Sequence, residues 1–296
     1  MTIAILSDIH GNYTALQKCL DHASAAGADT FLFLGDYLGE LAYPQKTMNI
    51  LYHLKELQKC FFIKGNKEDY WLDYEKNPVG WKEYDSTTGS LYYTYKNLKQ
   101  KDLQFFKTLP FQKELKFDDL PSLTICHGSP RKVNEKLLPD KENTFEIMEN
   151  NPSNYILCGH THQQGKIEYN GKMVLNAGSV GIPLHSNGKA QFMILKGSQG
   201  TWDYKFVSLE YDTEKVITDL YSSGLYEKAP YWCKVSEYLL RTGKISHGTV
   251  LTRAMTICEE KFGKCNWPNI PEECWKQAIE ELLKKVCDTP NGPIPS

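Results

Sequence analysis

The chain has 296 residues, of which 41% are hydrophobic and 24% charged, with 34 basic and 36 acidic side chains and a net charge of −2. That length can bury a sizeable core, and the near-neutral balance excludes a basic nucleic-acid footprint or a polybasic membrane patch. No apolar run approaches the ~20 residues that span a bilayer. The opening MTIAILSDIHGN lacks the basic start and apolar length of a signal peptide, so a cytoplasmic protein is expected.

The first 65 residues alternate apolar runs with helical spacing. TIAILSD, DTFLFLGD and CFFIKGN read as strands, and NYTALQKCLDHASAAG and PQKTMNILYHLKELQ as helices between them. Strand, helix, strand at this pitch predicts β-α-β crossovers and a parallel sheet. Residues 67–110, rich in Tyr and Trp, predict a helical lid over one end of that sheet. KELKF, SLTICHGS and YILCGHTH are short strand candidates, with a helix near TFEIMENN. Asn170-Gly171 in KIEYNGKMVLNAGS marks a hairpin, and KAQFMILKG and TWDYKFVSLEY complete a strand-rich half. Two packed sheets with flanking helices are therefore expected, not one open sheet. Residues 1–210 form this domain and 211–296 a helical extension, with a disordered tail at TPNGPIPS.

Nine cysteines include no C-x-x-C pair. The gaps of six, eight and twelve residues between Cys258, Cys265, Cys274 and Cys287 do not resemble structural zinc spacings. Reduced, buried thiols are expected.

Several strand candidates end in a metal-ligating residue type beside a glycine. They are Ser7-Asp8-Ile9-His10-Gly11-Asn12, Gly35-Asp36, Gly65-Asn66, Cys126-His127-Gly128 and Gly159-His160-Thr161-His162. In α/β proteins sites lie beyond the carboxyl ends of strands, so these five ends can meet on one rim. Asp8 with His10, and His160 with His162, have the alternating spacing that points two side chains the same way. Two carboxylates, four imidazoles and one amide oxygen suit first-row divalent ions (Mn, Fe, Ni, Zn or Co) better than Mg or Ca. Each motif alone is weak; four of eight histidines at such positions, in one succession, is a strong joint signal.

The succession D-x-H-G-N, G-D, G-N-x-[DE], H-G and G-H-T-H resembles the calcineurin-like metallophosphoesterase superfamily. NAGSVG at 176–181 and HGSPR at 127–131 resemble its bacterial and archaeal branch of small phosphodiesterases. The likeness covers residues 1 to about 210 and implies a four-layer αββα sandwich, here followed by the C-terminal helices. It also implies two divalent transition-metal ions, manganese first. Asp8, His10 and His162 would hold one ion, and Asn66, His127 and His160 the other, with Asp36 bridging. Two such ions can share a hydroxide and clamp a phosphoryl group for in-line attack. The implied activity is hydrolysis of phosphodiesters or nucleotide-like small phosphoesters. A phosphomonoesterase, a dinucleotide polyphosphate hydrolase and a non-catalytic scaffold of the same fold are the alternatives.

Lys67 stands where many relatives have a histidine after the asparagine, and it is a candidate for neutralising or protonating the leaving oxygen. Asp36, Asn66, His127 and Lys67 are thus the candidate catalytic set. Asn12, Lys67 and Arg131 are candidate substrate contacts, Arg131 with a surface ion pair as its equal alternative. Tyr70, Trp71, Tyr74, Trp81 and Tyr84 could stack a base, although packing of the lid is favoured. His185 is expected at the surface. His22, His53 and His247 receive no role, and the C-terminal helices are a possible homo-oligomer contact.

Overall fold

The computed structural model describes residues 1–287; the tail expected to be disordered lies outside the described residues. Strand β1 (Thr2–Leu6) is followed by α1 (Tyr13–Ala25), β2 (Thr30–Phe33), α2 (Pro44–Leu57) and β3 (Lys59–Phe62). The three strands pair in parallel, β1 with β2 and β2 with β3, as their βαβ spacing predicts. The long antiparallel hairpin of β9 (Ala190–Ser198) and β10 (Thr201–Leu209) adds to the other edge of β1, giving the order β10-β9-β1-β2-β3.

The second sheet contains β4 (Gln112–Leu115), β5 (Leu123–Cys126), β6 (Tyr155–Cys158), β8 (Lys172–Asn176) and β7 (Gly165–Tyr169), in that spatial order. Strands β7 and β8 join through Asn170-Gly171, both at positive φ (47° and 73°) as a type I′ turn requires. The strand expected at KELKF lies about one residue earlier and ends at Leu115.

Alternation along the strands shows the layers. In β1, Ile3 and Ile5 join Leu32, Leu123, Ile125, Leu157, Leu175 and Met193 in a core between the sheets. Ala4 and Leu6 point the other way and pack with Leu16, Leu20, Met48 and Leu51 of α1 and α2. In β6, Leu157 faces the first sheet, while Ile156 and Cys158 face Ile147 and Met148 of α6 (Glu142–Asn150). Both sheets are therefore buried on two sides, the four-layer arrangement of helices, sheet, sheet and helix.

The lid segment is helical, with α3 (Asn66–Lys76), α4 (Gly89–Lys96) and α5 (Gln100–Thr108). Its aromatics mostly pack on one another. Tyr74 stacks on Trp81 at 4.0 Å, Trp71 is fully buried, and Tyr84 is exposed.

Beyond Thr213 the chain forms α7 (Thr213–Ser222), α8 (Leu225–Lys228), α9 (Pro230–Thr242), α10 (His247–Phe262) and α11 (Glu272–Cys287). Gly224, at φ 82°, separates α7 from α8. The extension has a core of its own around Trp232, Val250, Ile257 and Trp275. It also shares a cluster with the first domain, where Leu239 and Leu240 meet Leu41, Ala42, Tyr93 and Ile182. Glu272 accepts from Ser86 N and Oγ at 2.6 and 2.7 Å, fastening α11 to the lid. The eight cysteines whose side chains are described are free thiols. No described helix is long and apolar enough to cross a membrane.

Candidate metal centre

The five ligand-bearing loops meet at the carboxyl ends of β1, β2, β3, β5 and β6. Backbone bonds fasten the first two: Asp8 N–H donates to Gly35 O (3.1 Å), His10 N–H to Asp36 O (3.0 Å) and Gly11 N–H to Tyr37 O (2.9 Å). The loop after β3 approaches so closely that a Cβ on Gly65 would lie 2.2 Å from Asp36 Oδ1; only glycine fits. Gly159 N–H donates to His127 O, joining the last two loops.

Pleat alternation does not aim the paired ligands. Strands β1 and β6 end at Leu6 and Cys158, and Asp8, His10, Asp36, His160 and His162 all lie beyond strand ends at φ between 51° and 66°. Left-handed backbone at five non-glycine residues is strained, and the loop-to-loop bonds hold it.

Two groups of donor atoms converge: Asp8, His10 and His162, and Asp8, Asp36 and His127, each with its ligand atoms within 4.8 Å of one another. His127 Nδ1 bonds Leu34 O at 2.7 Å, His162 Nδ1 bonds Ile182 O at 3.1 Å, and His10 Nδ1 meets the Glu40 carboxylate. Each Nδ1 is thereby occupied and each Nε2 is left to face inward. His10 Nε2 and His162 Nε2 are 3.1 Å apart, His162 Nε2 is 3.1 Å from Asp8 Oδ1, and His127 Nε2 is 3.1 Å from Asn66 Oδ1. Acceptors this close repel unless a cation stands among them, so the donor set fits divalent ions. Asp36 directs Oδ1 toward His127 (3.5 Å) and Oδ2 toward His10 (3.7 Å), an orientation suited to bridging.

Protonation follows the same charges. Burial works against charging His10, yet Glu40, Asp8 and Asp36 raise it to about 10. His127 is raised to about 9 by Asp36 and Asp8, again against burial. Burial would raise Asp8, but His162 and His127 hold it well below the usual carboxylate range, and His127 and His10 likewise lower Asp36.

His160 lies outside both groups. Its backbone N–H donates to Asp8 Oδ2 at 2.9 Å, its ring meets the His127 ring edge-on at 5.1 Å, and burial with His127 lowers it to about 4. Asn12 is fully buried as the cap of α1: Oδ1 accepts from Ala15 N, and Nδ2 donates to Gly181 O and Tyr211 Oη. This occupies the amide that was a candidate substrate contact. Arg131 pairs with Glu146 of α6 at 3.1 Å, its surface alternative. His185 is exposed, as expected. Lys67 is at the rim: its N–H donates to Asp36 Oδ1 at 2.8 Å, and its Nζ is 2.5 Å from Glu40. Burial would lower its pKa, but Glu40 and Asp36 raise it, so the ammonium is charged.

Three contributors were not assigned from sequence. Glu40 carries no recognisable motif, yet it is buried between His10 and Lys67. Glu68, part of G-N-x-[DE], accepts from Asp36 N, Tyr37 N and Gly65 N at 2.8–3.0 Å and so welds two ligand loops. The NAGSVG segment brackets Asp8: Ser179 Oγ and Gly181 N–H both donate to Asp8 O, and Asn176 Nδ2 donates to Gly159 O.

Known proteins share this fold. Residues 1–200 match the calcineurin-like phosphoesterase superfamily domain. The chain is 26% identical over 243 residues to the uncharacterized protein MJ0912 of Methanocaldococcus jannaschii, covering 76% of this chain and 94% of that one. Its fold is similar to hypothetical protein PH1004 from Pyrococcus horikoshii, with TM-score 0.69 and 19% identity over 83% of this chain and 99% of the other. It is also similar to a metallophosphoesterase from Sphaerobacter thermophilus, with TM-score 0.63 and 20% identity over 80% and 99%.

Proposed function

Because the chain belongs to the calcineurin-like phosphoesterase superfamily, we propose that it is a metal-dependent phosphoesterase acting on phosphodiesters or nucleotide-like small phosphoesters. The observation that carries the reading is the inward convergence of three imidazole Nε2 atoms on Asp8 and Asp36 while every Nδ1 is tied elsewhere.

In this reading Asp8, His10 and His162 hold one divalent ion. Asn66, His127 and His160 would hold the other, with Asp36 shared between them. Mixed nitrogen and oxygen donors favour first-row ions, and the family resemblance puts manganese first among them. Bound there, the ions would supply Lewis acidity toward phosphoryl oxygens and a nucleophile activated at neutral pH.

The chain's own residues do the rest. Asn66 donates a neutral oxygen, which limits negative charge where a phosphate approaches. Lys67 offers a charged ammonium at the same rim, held by Glu40, and suits neutralising charge on a leaving oxygen better than protonating it. Glu40 fixes the His10 ring through Nδ1, and Leu34 O and Ile182 O do the same for His127 and His162.

The direct test is metal content of the purified protein, followed by hydrolysis of bis-p-nitrophenyl phosphate and p-nitrophenyl phosphate with added Mn, Ni, Zn or Mg. About two ions per chain with manganese-stimulated diester cleavage is the expected result. Faster monoester cleavage reverses the substrate preference, full metal loading with no turnover points to a binding role, and no metal uptake overturns the site.

A further inference from the structure

Among the described residues, two polar atoms on stacked rings of the helical extension make no hydrogen bond. Trp232 of α9 is 8% exposed, and its indole Nε1 is buried with no hydrogen-bond partner among the described residues. A buried N–H left unpaired is rare in native proteins and calls for an explanation. His247, the first residue of α10, lies against the indole with ring centroids 4.4 Å apart and planes at 26°. Its Nε2 is 2.8 Å from Ser236 Oγ, and that hydroxyl donates its single proton to Trp232 O at 3.0 Å. Ser236 Oγ must therefore accept from Nε2–H, so Nδ1 carries the lone pair. Nδ1 makes no hydrogen bond among the described residues.

The packing of the extension sets this pair at the rim. Leu239 and Leu240 of α9 share a cluster with Leu41 and Ala42, which follow Glu40, and with Ile182, whose carbonyl takes the His162 Nδ1 proton. Gly243 O, between α9 and α10, accepts from His185 N at 2.7 Å. His247 lies within electrostatic reach of Glu40, Lys67, His10 and His162. Burial outweighs Glu40 and lowers the ring to about 3, so it is uncharged near neutral pH.

A neutral acceptor does not suit a phosphoryl oxygen, which itself only accepts. A hydroxyl matches both unused atoms, because it can donate to His247 Nδ1 and accept from Trp232 Nε1–H. We infer that His247 and Trp232 form a hydroxyl-recognition subsite beside the metal centre, selecting phosphoesters whose alcohol part carries a free hydroxyl near the ester. This rests on the phosphoesterase reading for the kind of molecule that brings the hydroxyl.

The test compares two diesters with one leaving group, p-nitrophenyl glyceryl phosphate and p-nitrophenyl propyl phosphate, which differ only in hydroxyls; each rate is taken relative to that of the same ester with metal ions and no protein, because the glyceryl 2-hydroxyl can itself displace p-nitrophenolate. The metal-loaded protein is expected to favour the glyceryl ester about tenfold in kcat/KM, the size of one neutral hydrogen-bond pair. Trp232→Phe keeps an aromatic ring against His247 and loses the N–H; it should bring the ratio near one with metal content held, at some cost in melting temperature for the smaller side chain. His247→Asn places an amide where Nδ1 stood and should keep part of the preference. His247→Gln replaces only the reach to Ser236 and should lose it. A wild-type ratio near one, as expected if a water satisfies the pair, overturns the subsite. So does a ratio unchanged in Trp232→Phe, or restoration by Gln but not Asn, which would confine His247 to holding Ser236. Calorimetric binding of the matched glyceryl and propyl methylphosphonates to wild-type protein covers variants that fail to fold. Preferential glyceryl binding without turnover of either ester overturns the phosphoesterase reading and leaves the subsite standing; equal binding overturns the subsite itself.

Discussion

Asp8, His10, Asp36, His160 and His162 all have φ between 51° and 66°, whereas the helices beyond Thr213 reserve positive φ for Gly224, Gly243 and Gly263. The rim spends roughly 1–2 kcal/mol per residue on left-handed backbone and crowds acceptors against one another. The extension obeys local preference throughout: Asp212 and Ser246 cap α7 and α10, proline opens α9, and Gly243 and Gly263 close α9 and α10. Tertiary bonds between loops maintain the rim, and packing maintains the helices. Substitutions in the two regions should therefore fail in different ways.

The largest separation is expected at Asn66→Ala and His127→Ala. Turnover of bis-p-nitrophenyl phosphate should fall on the order of 10³-fold, while the melting temperature stays within a few degrees. Near-normal rates in both would remove the metal assignment. Trp275→Ala gives the converse. That side chain is fully buried and bonds Thr87 Oγ1 through its indole N–H at 2.9 Å. Its removal should cost about 3–5 kcal/mol in urea unfolding, with metal per folded molecule unchanged.

Glu68 sharpens the contrast because it belongs to the rim but should behave like a core residue. Glu68→Ala orphans three buried N–H groups on two ligand loops. Unfolding should register a loss of about 3 kcal/mol or more, accompanied by weaker metal uptake in a calorimetric titration. Loss of metal without loss of stability would make Glu68 a feature of the site alone. The smallest effect is expected at Arg131→Ala. Its exposed pair with Glu146 is worth less than about 1 kcal/mol, and kcat/KM should not move. A clear rise in KM would return Arg131 to substrate binding.

The same contrast explains what could be read from the chain. Strand ends bearing Asp8, Asp36, His127 and His160 beside glycines stand out because apolar runs stop there and ligating residues begin. Helices α9 to α11 stand out through three-four spacing. The left-handed turns that aim the ligands leave no pattern of their own, since Asp and His are ordinary in loops. Glu40 was invisible because its role depends on meeting His10 and Lys67, which lie 30 and 27 positions away in sequence. His247 is silent in the sequence for the same reason: nothing in KISHGTVL indicates that its ring meets Trp232 and Ser236 of α9. The layered sheets follow local periodicity, but partnerships between distant loops do not.

The joint between α9 and the rim also bears on how the molecule is made. Translation delivers every proposed metal ligand by His162, and the strands that support them by Leu209. Leu41, Ala42 and Ile182 wait for Leu239 and Leu240 to cover them. A growing chain emerging from the ribosome N-terminus first can therefore assemble a metal-competent rim while one apolar side of it is still bare. Helix α9, made after every proposed ligand, then covers that side, so the order of synthesis lets metal capture precede closure of this apolar joint.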